Sequence, residues 1–529
     1  MQDGAAQLLQ RHLSKEAGLS PTERRVFQNA FDHLTSRDPT KAWTSGQWMT
    51  ERTGGSDVSQ TETVATYDPY PDASSTPFAD VDENVPLGPW SISGFKWFSS
   101  ATDSQMTILL AKTDPSKGVS AFLAPMRRHN PSIVSPTGVS GGSELNGVTI
   151  QRLKHKLGTQ SLPTAELELN NMRGWLIGEE GQGIREISTI LTITRVHTTV
   201  SSVGYLGRAL SVAKGFALVR EVGVGRGRRL PLSCHPLHMR TLANITTHYH
   251  GLMLLVYYTV SLLGQSESSS PLSTTTTTTS STTPTITSTS STTTPSTPPI
   301  PLLLSTQPPS HNNPIAPLLR ILSSLHKSHA AHTTIPLLYG CLQSLGGVGY
   351  LLNDESQPIN VARLFRDGCV GAVWEGTTDV LAGDALRVLK HPLLGAESVR
   401  GLGEVVEGGL GVVVRESGVG VRMAEWGEGV RRGWEEAKGK VELGTQEELL
   451  PEARGLVFRI AEVLVAVLYL VDAVVQPGED IEEMCRRYLV EKGFIPEKDG
   501  EGRRDLAMDQ AIVYGAGKEP GQGAPETKL

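Results

Sequence analysis

The chain has 529 residues, a formal net charge of −7 and a sequence pI near 6.1. This length is sufficient for two to four domains with sizeable cores, which excludes a small protein held together by disulfides. The acidic balance gives no general attraction to nucleic acid or to an anionic membrane, so it favours a small-molecule enzyme or a protein-binding module.

The four cysteines, Cys234, Cys341, Cys369 and Cys485, stand far apart without a CxxC pair. Such spacing is typical of reduced thiols, so the sequence predicts an intracellular, soluble protein and no zinc site built from cysteines.

No apolar stretch is both long enough and free enough of charge to predict a membrane helix, and the start of the chain does not resemble a secretory signal. The final Thr527-Lys528-Leu529 differs from the peroxisomal Ser-Lys-Leu address by one residue. This leaves the peroxisome, the cytoplasm and the mitochondrion open as locations.

The first forty residues have the spacing of two amphipathic helices, and Ser20-Pro21-Thr22-Glu23 is typical of a capped helix start. Two helices do not make a domain, so residues 1–40 are predicted to be the remnant of an N-terminal helical domain. The positions predicted to face a core are Leu8, Leu9, Leu13, Val26, Phe27, Ala30 and Phe31.

Residues 41–170 have a different pattern, in which short apolar or alternating runs are separated by Gly, Pro, Asn and Asp. Runs such as 106–111 and 119–124 have the length and composition of strands. We therefore predict an antiparallel β-barrel or β-sandwich over residues 41–170.

Residues 171–390 have a helical period, with runs at 184–222, 237–263, 317–345 and 370–389 that predict a helical bundle. Within this region, residues 265–318 are dominated by Ser, Thr and Pro. Such a composition buries too little apolar surface to offset the chain entropy, so a disordered insertion between two helices is predicted there.

Residues 391–529 carry 17 Lys and Arg against 26 Asp and Glu, a net charge of −9. Met423, Trp426, Val430 and Trp434 fall on one helical face, and residues 456–475 predict an apolar helix. This indicates an acidic helical C-terminal extension, and the predicted fold class of the whole chain is α+β.

The sequence RLFRDGCVGAVWEGTTD at 363–379 places one carboxylate, Glu375, between Trp374 and Gly376. Because few polar residues flank it, its pKa is predicted to rise toward the range that a general base needs. The alternative is a simple helix start, since Gly376 to Asp379 is also typical of a capped turn. Taken alone, this stretch favours the helix start.

A second group of residues reverses that preference. The segments WMTERTGGSD at 48–57 and FKWFSS at 95–100 combine two strand ends with a glycine turn, hydroxyl side chains and an indole. A strand, a turn and a second strand with Trp97 in the core would explain them structurally. Hydroxyls and backbone amides beside an exposed indole also suit a flat, hydrogen-bonding heterocycle such as a flavin.

Four ordered motifs within residues 41–390 resemble the acyl-CoA dehydrogenase family and, within it, the AidB-like branch. They are MTE-x-x-GGSD at 49–57, KWFSS at 96–100, a Gln and glycine pattern at 343–350, and R-x-x-RD followed by WEGT between 363 and 377. Four motifs in this order are far more specific than a single glycine motif.

The resemblance implies a β domain packed on a four-helix bundle, bound FAD, and a homo-oligomer, either a dimer or a tetramer, with cofactor sites at subunit interfaces. It places Met49, Thr50 and Ser56 at the cofactor, with the hydroxyls of Thr50 and Ser56 hydrogen-bonded to the flavin. It also assigns Trp97 and Ser99 to the flavin edge. From a neighbouring subunit, Gln343, Gly346 and Gly347 would meet the adenosine or pyrophosphate part of FAD, and Thr377 and Asp379 would complete that contact.

The resemblance also makes Glu375 the catalytic base of an FAD-dependent oxidoreductase that acts on CH–CH groups. The carboxylate would remove the α-proton of an acyl-CoA-type thioester while the β-hydrogen passes to the flavin, as in fatty acid metabolism. Glutamate at this position weighs against the nitroalkane-oxidising relatives, which use aspartate.

Family members carry a much longer helical domain before the MTE motif than the forty residues that precede it here. We therefore expect either a truncated chain or a partial enzyme with an open, wet site. Two rival functions remain: a DNA-associated damage-response flavoprotein of the AidB-like type, which the acidic extension disfavours, and an inactive flavin-binding remnant.

Three histidines, His326, His329 and His332, recur at every third residue of a helical pattern. Helices chelate metals mainly through i, i+4 pairs, and no carboxylate accompanies these three residues. No metal site is predicted.

Overall fold

The computed structural model describes residues 1–15, 17–71, 76–79, 82–134, 138, 140–268, 315–352, 360–415, 421–497 and 505–515. The predicted insertion at 265–318 lies almost wholly outside the described residues, and Thr527–Leu529 lies outside them altogether. In the described part of the chain, no helix combines the length and the apolar character needed to cross a bilayer.

The chain divides into two compact units. The first comprises Met1–Thr198 together with the short segment Val373–Thr377, and the second comprises Thr199–Ala372 and Thr378–Leu529. Glu375 therefore belongs to the unit that contains the β domain, although the chain on both sides of its segment belongs to the other unit.

Helices α1 (Gln2–Leu13) and α2 (Pro21–Thr35) begin the first unit. The predicted capping box is confirmed, because the Glu23 amide donates to Ser20 Oγ at 3.3 Å and the Ser20 amide donates to Glu23 Oε2 at 2.8 Å. Of the predicted core positions, Leu13 and Phe31 are only partly buried, whereas the others lie in the core of this unit: Leu8, Leu9, Val26, Phe27 and Ala30.

Eleven strands follow within the described residues of the first unit. They are β1 (Ser45–Trp48), β2 (Val64–Tyr67), β3 (Phe78–Ala79), β4 (Asp82–Pro86), β5 (Trp90–Ser100), β6 (Met106–Lys112), β7 (Val119–Pro125), β8 (Arg127–Val134), β9 (Ser140–Leu145), β10 (Val148–Leu153) and β11 (Thr164–Ile177).

Seven of these strands form one sheet in the order β1-β6-β2-β5-β11-β10, with β7 joining β11 to β6. The circuit of β6, β2, β5, β11 and β7 is closed, so the predicted barrel is confirmed. The strands β4, β3, β8 and β9 form a second, smaller sheet. The prediction of a wholly antiparallel domain was wrong in one respect, since β6 pairs in parallel with both β1 and β2.

The second unit is mainly helical. Its helices are α3 (Gly183–Val219), which begins in the first unit, α4 (Pro236–Ser268), α5 (Ile315–Ser344), α6 (Val361–Cys369), α7 (Thr378–Leu389), α8 (Gly395–Arg415), α9 (Val421–Leu443), α10 (Gln446–Leu449), α11 (Ala453–Val475), α12 (Glu479–Glu491) and α13 (Leu506–Tyr514). A short hairpin of β12 (Glu221–Gly223) and β13 (Arg229–Pro231) separates α3 from α4.

Helix α11 lies at the centre of this unit and is buried along most of its length. The predicted apolar face of α9 is also confirmed, because Met423, Trp426, Val430 and Trp434 are all buried. The prediction of continuous helix at 370–389 was wrong. A 3-10 turn at Val370–Ala372 and the non-helical residues 373–377 separate α6 from α7.

Candidate active site

The loop after β1 folds back on itself and is tied to β5. Glu51 and Gly54 exchange backbone hydrogen bonds of 3.0 and 3.3 Å, and the Trp97 amide donates to the Thr50 carbonyl at 2.9 Å. A Cβ atom on Gly54 would lie 2.1 Å from the Asp57 carbonyl oxygen, so only glycine permits this turn. The first two motifs of the sequence therefore meet in space.

A buried ion pair fixes these two segments. Lys96 Nζ donates to Glu51 Oε1 at 2.6 Å and to the Leu110 carbonyl at 2.8 Å, and the Lys96 side chain is 0% exposed. Glu51 also accepts from Thr63 Oγ1 at 2.6 Å and from the Glu62 amide at 2.6 Å.

These contacts govern the ionisation of Glu51. Burial alone would raise its pKa, but the Lys96 ammonium and the hydrogen bonds outweigh burial and hold the pKa below its usual range. A charged, fully partnered carboxylate therefore anchors the loop to the barrel.

The loop residues assigned to the cofactor differ in accessibility. Thr50 is half-buried and Ser56 is exposed, as hydrogen-bonding groups that face a cofactor should be. Met49 instead packs in the hydrophobic core of the first unit. Thr50 and Ser56 thus fit the predicted cofactor contact, whereas Met49 is placed as a core residue.

The aromatic residues of β5 occupy different environments. Lys154 Nζ lies 3.2 Å from the centroid of the Trp97 ring, and the Arg52 guanidinium carbon lies 4.6 Å from it. The neighbouring Phe98 ring is 48% exposed. Phe98, which sequence reasoning did not single out, is thus the more accessible aromatic surface for a flat ligand.

Ser99 is fully buried, and its hydroxyl has no hydrogen-bond partner among the described residues. An unsatisfied buried hydroxyl costs about 1–3 kcal/mol, so a polar group bound next to it would be favoured. Together with Thr50, Ser56 and Phe98, this residue makes the end of β5 compatible with a hydrogen-bonding heterocycle.

Glu375 has an unusual backbone conformation. Its φ angle is +57°, and that of Gly376 is +98°. A left-handed backbone costs about 1 kcal/mol or more for residues other than Gly, Asn and Asp. Such strain is concentrated at functional sites. Because α7 begins at Thr378, the predicted helix start is also confirmed, but it leaves this strained glutamate unexplained.

The expectation that Glu375 has few polar neighbours was wrong. Thr194 Oγ1 donates to Glu375 Oε2 at 2.8 Å, and Arg195 Nε donates to the Glu375 carbonyl at 3.4 Å. Both partners lie on α3, which is distant from Glu375 in the sequence, so local flanking residues did not reveal them. The hydrogen bonds hold the carboxylate and its strained backbone in one orientation.

The residues assigned to the nucleotide end of the cofactor belong to the helical unit. Gln343, near the end of α5, is exposed, as are Gly346 and Gly347 in the following 3-10 turn. Gly346 has a φ angle of +61°, and a Cβ at either glycine would meet open space. These three residues therefore present an accessible stretch of backbone.

Thr377 and Asp379 flank the start of α7, and both are exposed. The carboxylate of Asp379 already has a partner, since it accepts from Arg454 Nε at 2.7 Å. The predicted contact of Asp379 with a cofactor would have to replace or share this ion pair.

The three histidines of α5 do not form a chelating group. His326 Nδ1 lies 2.5 Å from the Leu322 carbonyl oxygen, and His329 and His332 both pack against the Phe458 ring. Among the described residues, no cluster of three or more His, Cys, Asp or Glu side chains is arranged to hold a metal ion.

Comparisons with known proteins agree with this architecture. The family model described as acyl-CoA dehydrogenase, middle domain, matches residues 46–172. The "Acyl-CoA dehydrogenase family member 11" of Caenorhabditis elegans is 33% identical over 374 residues, which cover 69% of this chain and 48% of that protein. The "Putative acyl-CoA dehydrogenase AidB" of Escherichia coli (strain K12) is 26% identical over 357 residues, covering 68% and 50%.

The chain thus spans about half the length of these two curated relatives. Among solved structures, C. elegans ACDH-11 in complex with C11-CoA superposes with a TM-score of 0.70 at 28% identity, covering 98% of this chain and 75% of that one. The barrel, the motif order and these similarities agree, and residues 46–172 belong to the acyl-CoA dehydrogenase family as its middle domain.

Proposed function

We propose that the protein is an FAD-dependent acyl-CoA dehydrogenase in which Glu375 removes the α-proton of an acyl thioester. The observation that carries the proposal is the geometry of Glu375 in the WEGT motif. Its backbone is strained, and its carboxylate accepts a hydrogen bond from Thr194 on α3. Further support comes from the family membership and from the complex of the C. elegans relative with C11-CoA.

The residues of the first unit that would hold FAD are Thr50 and Ser56 in the loop after β1 and Phe98 on β5. The family resemblance assigns the accessible backbone of Gly346 and Gly347 to the FAD of a neighbouring subunit. Ser99 offers a buried hydroxyl that lacks a partner among the described residues. Bound FAD supplies the two-electron acceptor for the hydrogen that leaves the β-carbon.

Thr194 and the groups of Glu375 itself then have distinct chemical tasks. The hydrogen bond from Thr194 Oγ1 fixes one carboxylate oxygen, so the base does not have to search for its orientation. The α-proton of a thioester is weakly acidic, so the carbonyl must be polarised as the proton leaves, and we assign this task to the Glu375 amide. The carboxylate takes the proton from the α-carbon.

The test is anaerobic mixing of the FAD-loaded protein with acyl-CoA thioesters of different chain length. We expect the visible flavin absorption to bleach with one or more thioesters in the unaltered protein, and not in Glu375→Gln. Glu179→Gln is the matched control, because it makes the same chemical change at an exposed position of the first unit.

Thr194→Val adds a graded test of positioning. Loss of this hydrogen bond should slow bleaching by about tenfold, consistent with roughly 1.4 kcal/mol, while FAD remains bound. Undiminished bleaching in Glu375→Gln would refute the assignment of the base. Failure of the unaltered protein to take up FAD would instead favour the inactive remnant.

The AidB-like branch stays a prediction. The likeness to AidB supports it, but a greater identity links the chain to the C. elegans relative. The oligomeric state expected from the family is likewise a proposal, and its test is the mass of the FAD-loaded protein in solution.

A further inference from the structure

Three cations share one carboxylate on the outer surface of the barrel. Glu166 Oε1 accepts from Lys154 Nζ at 2.8 Å and from Arg152 Nε at 2.7 Å, and Arg52 Nη2 lies 3.9 Å from Glu166 Oε2. The hydrogen bond from Lys154, supported by the one from Arg152, holds the pKa of Glu166 below its usual range. The carboxylate is therefore ionised, and the cluster carries a net charge of +2.

The members of this cluster differ in exposure. The side chains of Glu166 and Lys154 are 5% and 13% exposed, whereas those of Arg52 and Arg152 are 65% and 67% exposed. Lys154 thus serves as the inner counterion of Glu166. Within the described ranges, neither arginine has a second carboxylate at ion-pair distance, so both direct surplus charge toward solvent.

Neither arginine is paired with the next carboxylate on β11. Glu168 accepts a hydrogen bond from Gln151 Nε2 at 2.6 Å, whereas the ion pairs of Arg52 and Arg152 are with Glu166. Arg52 is held over two aromatic rings, with its guanidinium carbon 4.9 Å from the Phe95 centroid and 4.6 Å from that of Trp97. Stacking leaves the edge of a guanidinium group available to an anion.

The cluster is also close to the candidate active site along the chain and through hydrogen bonds. Trp97, which packs against Arg52 and Lys154, donates its amide hydrogen to the Thr50 carbonyl. Arg52 lies two residues after Thr50 in the same loop. An anion bound by the arginines would therefore lie on the segment assigned to the cofactor and the substrate.

We propose that Arg52 and Arg152 bind a phosphate group of a nucleotide at this surface of the barrel. This inference rests on the proposed function, which supplies nucleotide phosphates from two sources, the CoA part of the thioester and FAD. Two guanidinium groups that share a single buried carboxylate match a phosphate dianion in charge, and arginine matches phosphate in hydrogen-bond geometry.

The experiment measures binding without turnover, by isothermal titration calorimetry at low and moderate salt. The probes are adenosine 3′,5′-bisphosphate, which is part of CoA, titrated into the FAD-loaded protein, and FAD itself, titrated into the protein stripped of cofactor. The variants are Arg52→Gln, Arg152→Gln and the double variant. Arg25→Gln, an exposed arginine on α2, is the control for loss of one positive charge.

We expect each single variant to raise the dissociation constant of one probe about three- to tenfold relative to the control variant. This difference should become smaller at higher salt, because salt screens the charges. A selective effect on the bisphosphate assigns the site to CoA, and an effect on FAD assigns it to the cofactor. Variants that bind both probes as the control does would overturn the proposal, and so would an unaltered protein that binds neither probe.

The two proposals can fail separately. A protein that binds a probe through these arginines but does not bleach with any acyl-CoA keeps the phosphate site and loses the proposed reaction. A protein that bleaches normally in both arginine variants, with unchanged probe binding, keeps the reaction and loses the phosphate site.

Discussion

Replacing Lys96 by methionine should strongly destabilise the barrel. The change leaves the Glu51 carboxylate, whose side chain is 3% exposed, with the Thr63 hydroxyl and the Glu62 amide as donors but without its counterion. Breaking a buried ion pair by removing one partner costs about 3–5 kcal/mol. That loss is a large fraction of the ~5–15 kcal/mol that stabilises a typical protein.

The matched control is the double variant Glu51→Gln with Lys96→Met. Here no charge is left buried, and the single side-chain oxygen of glutamine can keep one of the two hydrogen bonds, either the one from Thr63 to Oε1 or the one from the Glu62 amide to Oε2. Replacing a buried ion pair by neutral groups is often nearly neutral, so we expect the double variant to recover most of the loss.

Urea unfolding, with hydrogen exchange of peptides from β5 and β6 as the probe, would measure these changes in the free energy of unfolding for the first unit alone. A pH series adds an independent check. The folded-state pKa of Glu51 lies below its unfolded value, so the unfolded state binds more protons as the pH falls below about 5 and stability is lost. The double variant should lack this component.

The reasoning would be refuted if Lys96→Met lowered the free energy of unfolding by less than about 1 kcal/mol, since such a value is typical of exposed pairs. It would also be refuted if the double variant were as unstable as the single one, because the cost would then not come from the isolated charge.

Three further predictions concern other parts of the chain. Gly54→Ala should disturb the loop after β1 and lower FAD retention, because the new Cβ would lie 2.1 Å from the Asp57 carbonyl oxygen. Gly439→Ala is the control and should retain FAD, because its Cβ would meet open space. The flavin content after gel filtration measures FAD retention in both variants. Phe98→Leu should weaken FAD binding more than Trp97→Leu does in the same titration. The reason is that Phe98 is 48% exposed and that Lys154 Nζ lies 4.7 Å from its ring centroid, against 3.2 Å for Trp97; the reverse order would contradict the placement of Phe98. Burial, followed by the nearby Lys492, His248 and His332, lowers the pKa of His329 to about 3. Between pH 6.5, near the unfolded pKa, and about pH 3, the unfolded state binds one more proton than the folded state, so stability decreases as the pH is lowered. His329→Gln should therefore flatten the acid unfolding curve of the helical unit, as followed by hydrogen exchange of α5 peptides, and an unchanged curve would show that His329 does not contribute.

Local patterns were sufficient for much of the fold. Strand-length apolar runs separated by turn residues predicted the barrel, and the helical period predicted the buried face of α9. The Ser20 and Glu23 capping box was also predicted, because every group in it lies within four consecutive residues. Each of these features depends on side chains that are close in the sequence.

Features that depend on distant partners were not predictable in this way. Lys96 and Glu51 are 45 residues apart, and Thr194 and Glu375 are 181 residues apart, so no flanking pattern indicates either contact. The parallel pairing of β6 with β1 and β2 likewise joins strands that are distant in the sequence, and the composition of no single strand indicates it.

The break between α6 and α7 shows a different limit. Residues 370–389 have an apolar period that a helix could use, and proline is absent from them. The chain nevertheless leaves the helix at 373–377, where Glu375 adopts a left-handed backbone and contacts Thr194 and Arg195. Tertiary contacts at the candidate base therefore outweigh local helix propensity.

The central claim is that Glu375 is the base of a flavin-dependent dehydrogenation. Its most direct test is stopped-flow absorbance of the FAD-loaded protein mixed anaerobically with the best acyl-CoA of a chain-length series. We predict rapid bleaching of the visible flavin band in the unaltered protein and in Glu179→Gln, and no bleaching in Glu375→Gln with its FAD still bound. Bleaching at an unchanged rate in Glu375→Gln would contradict the account.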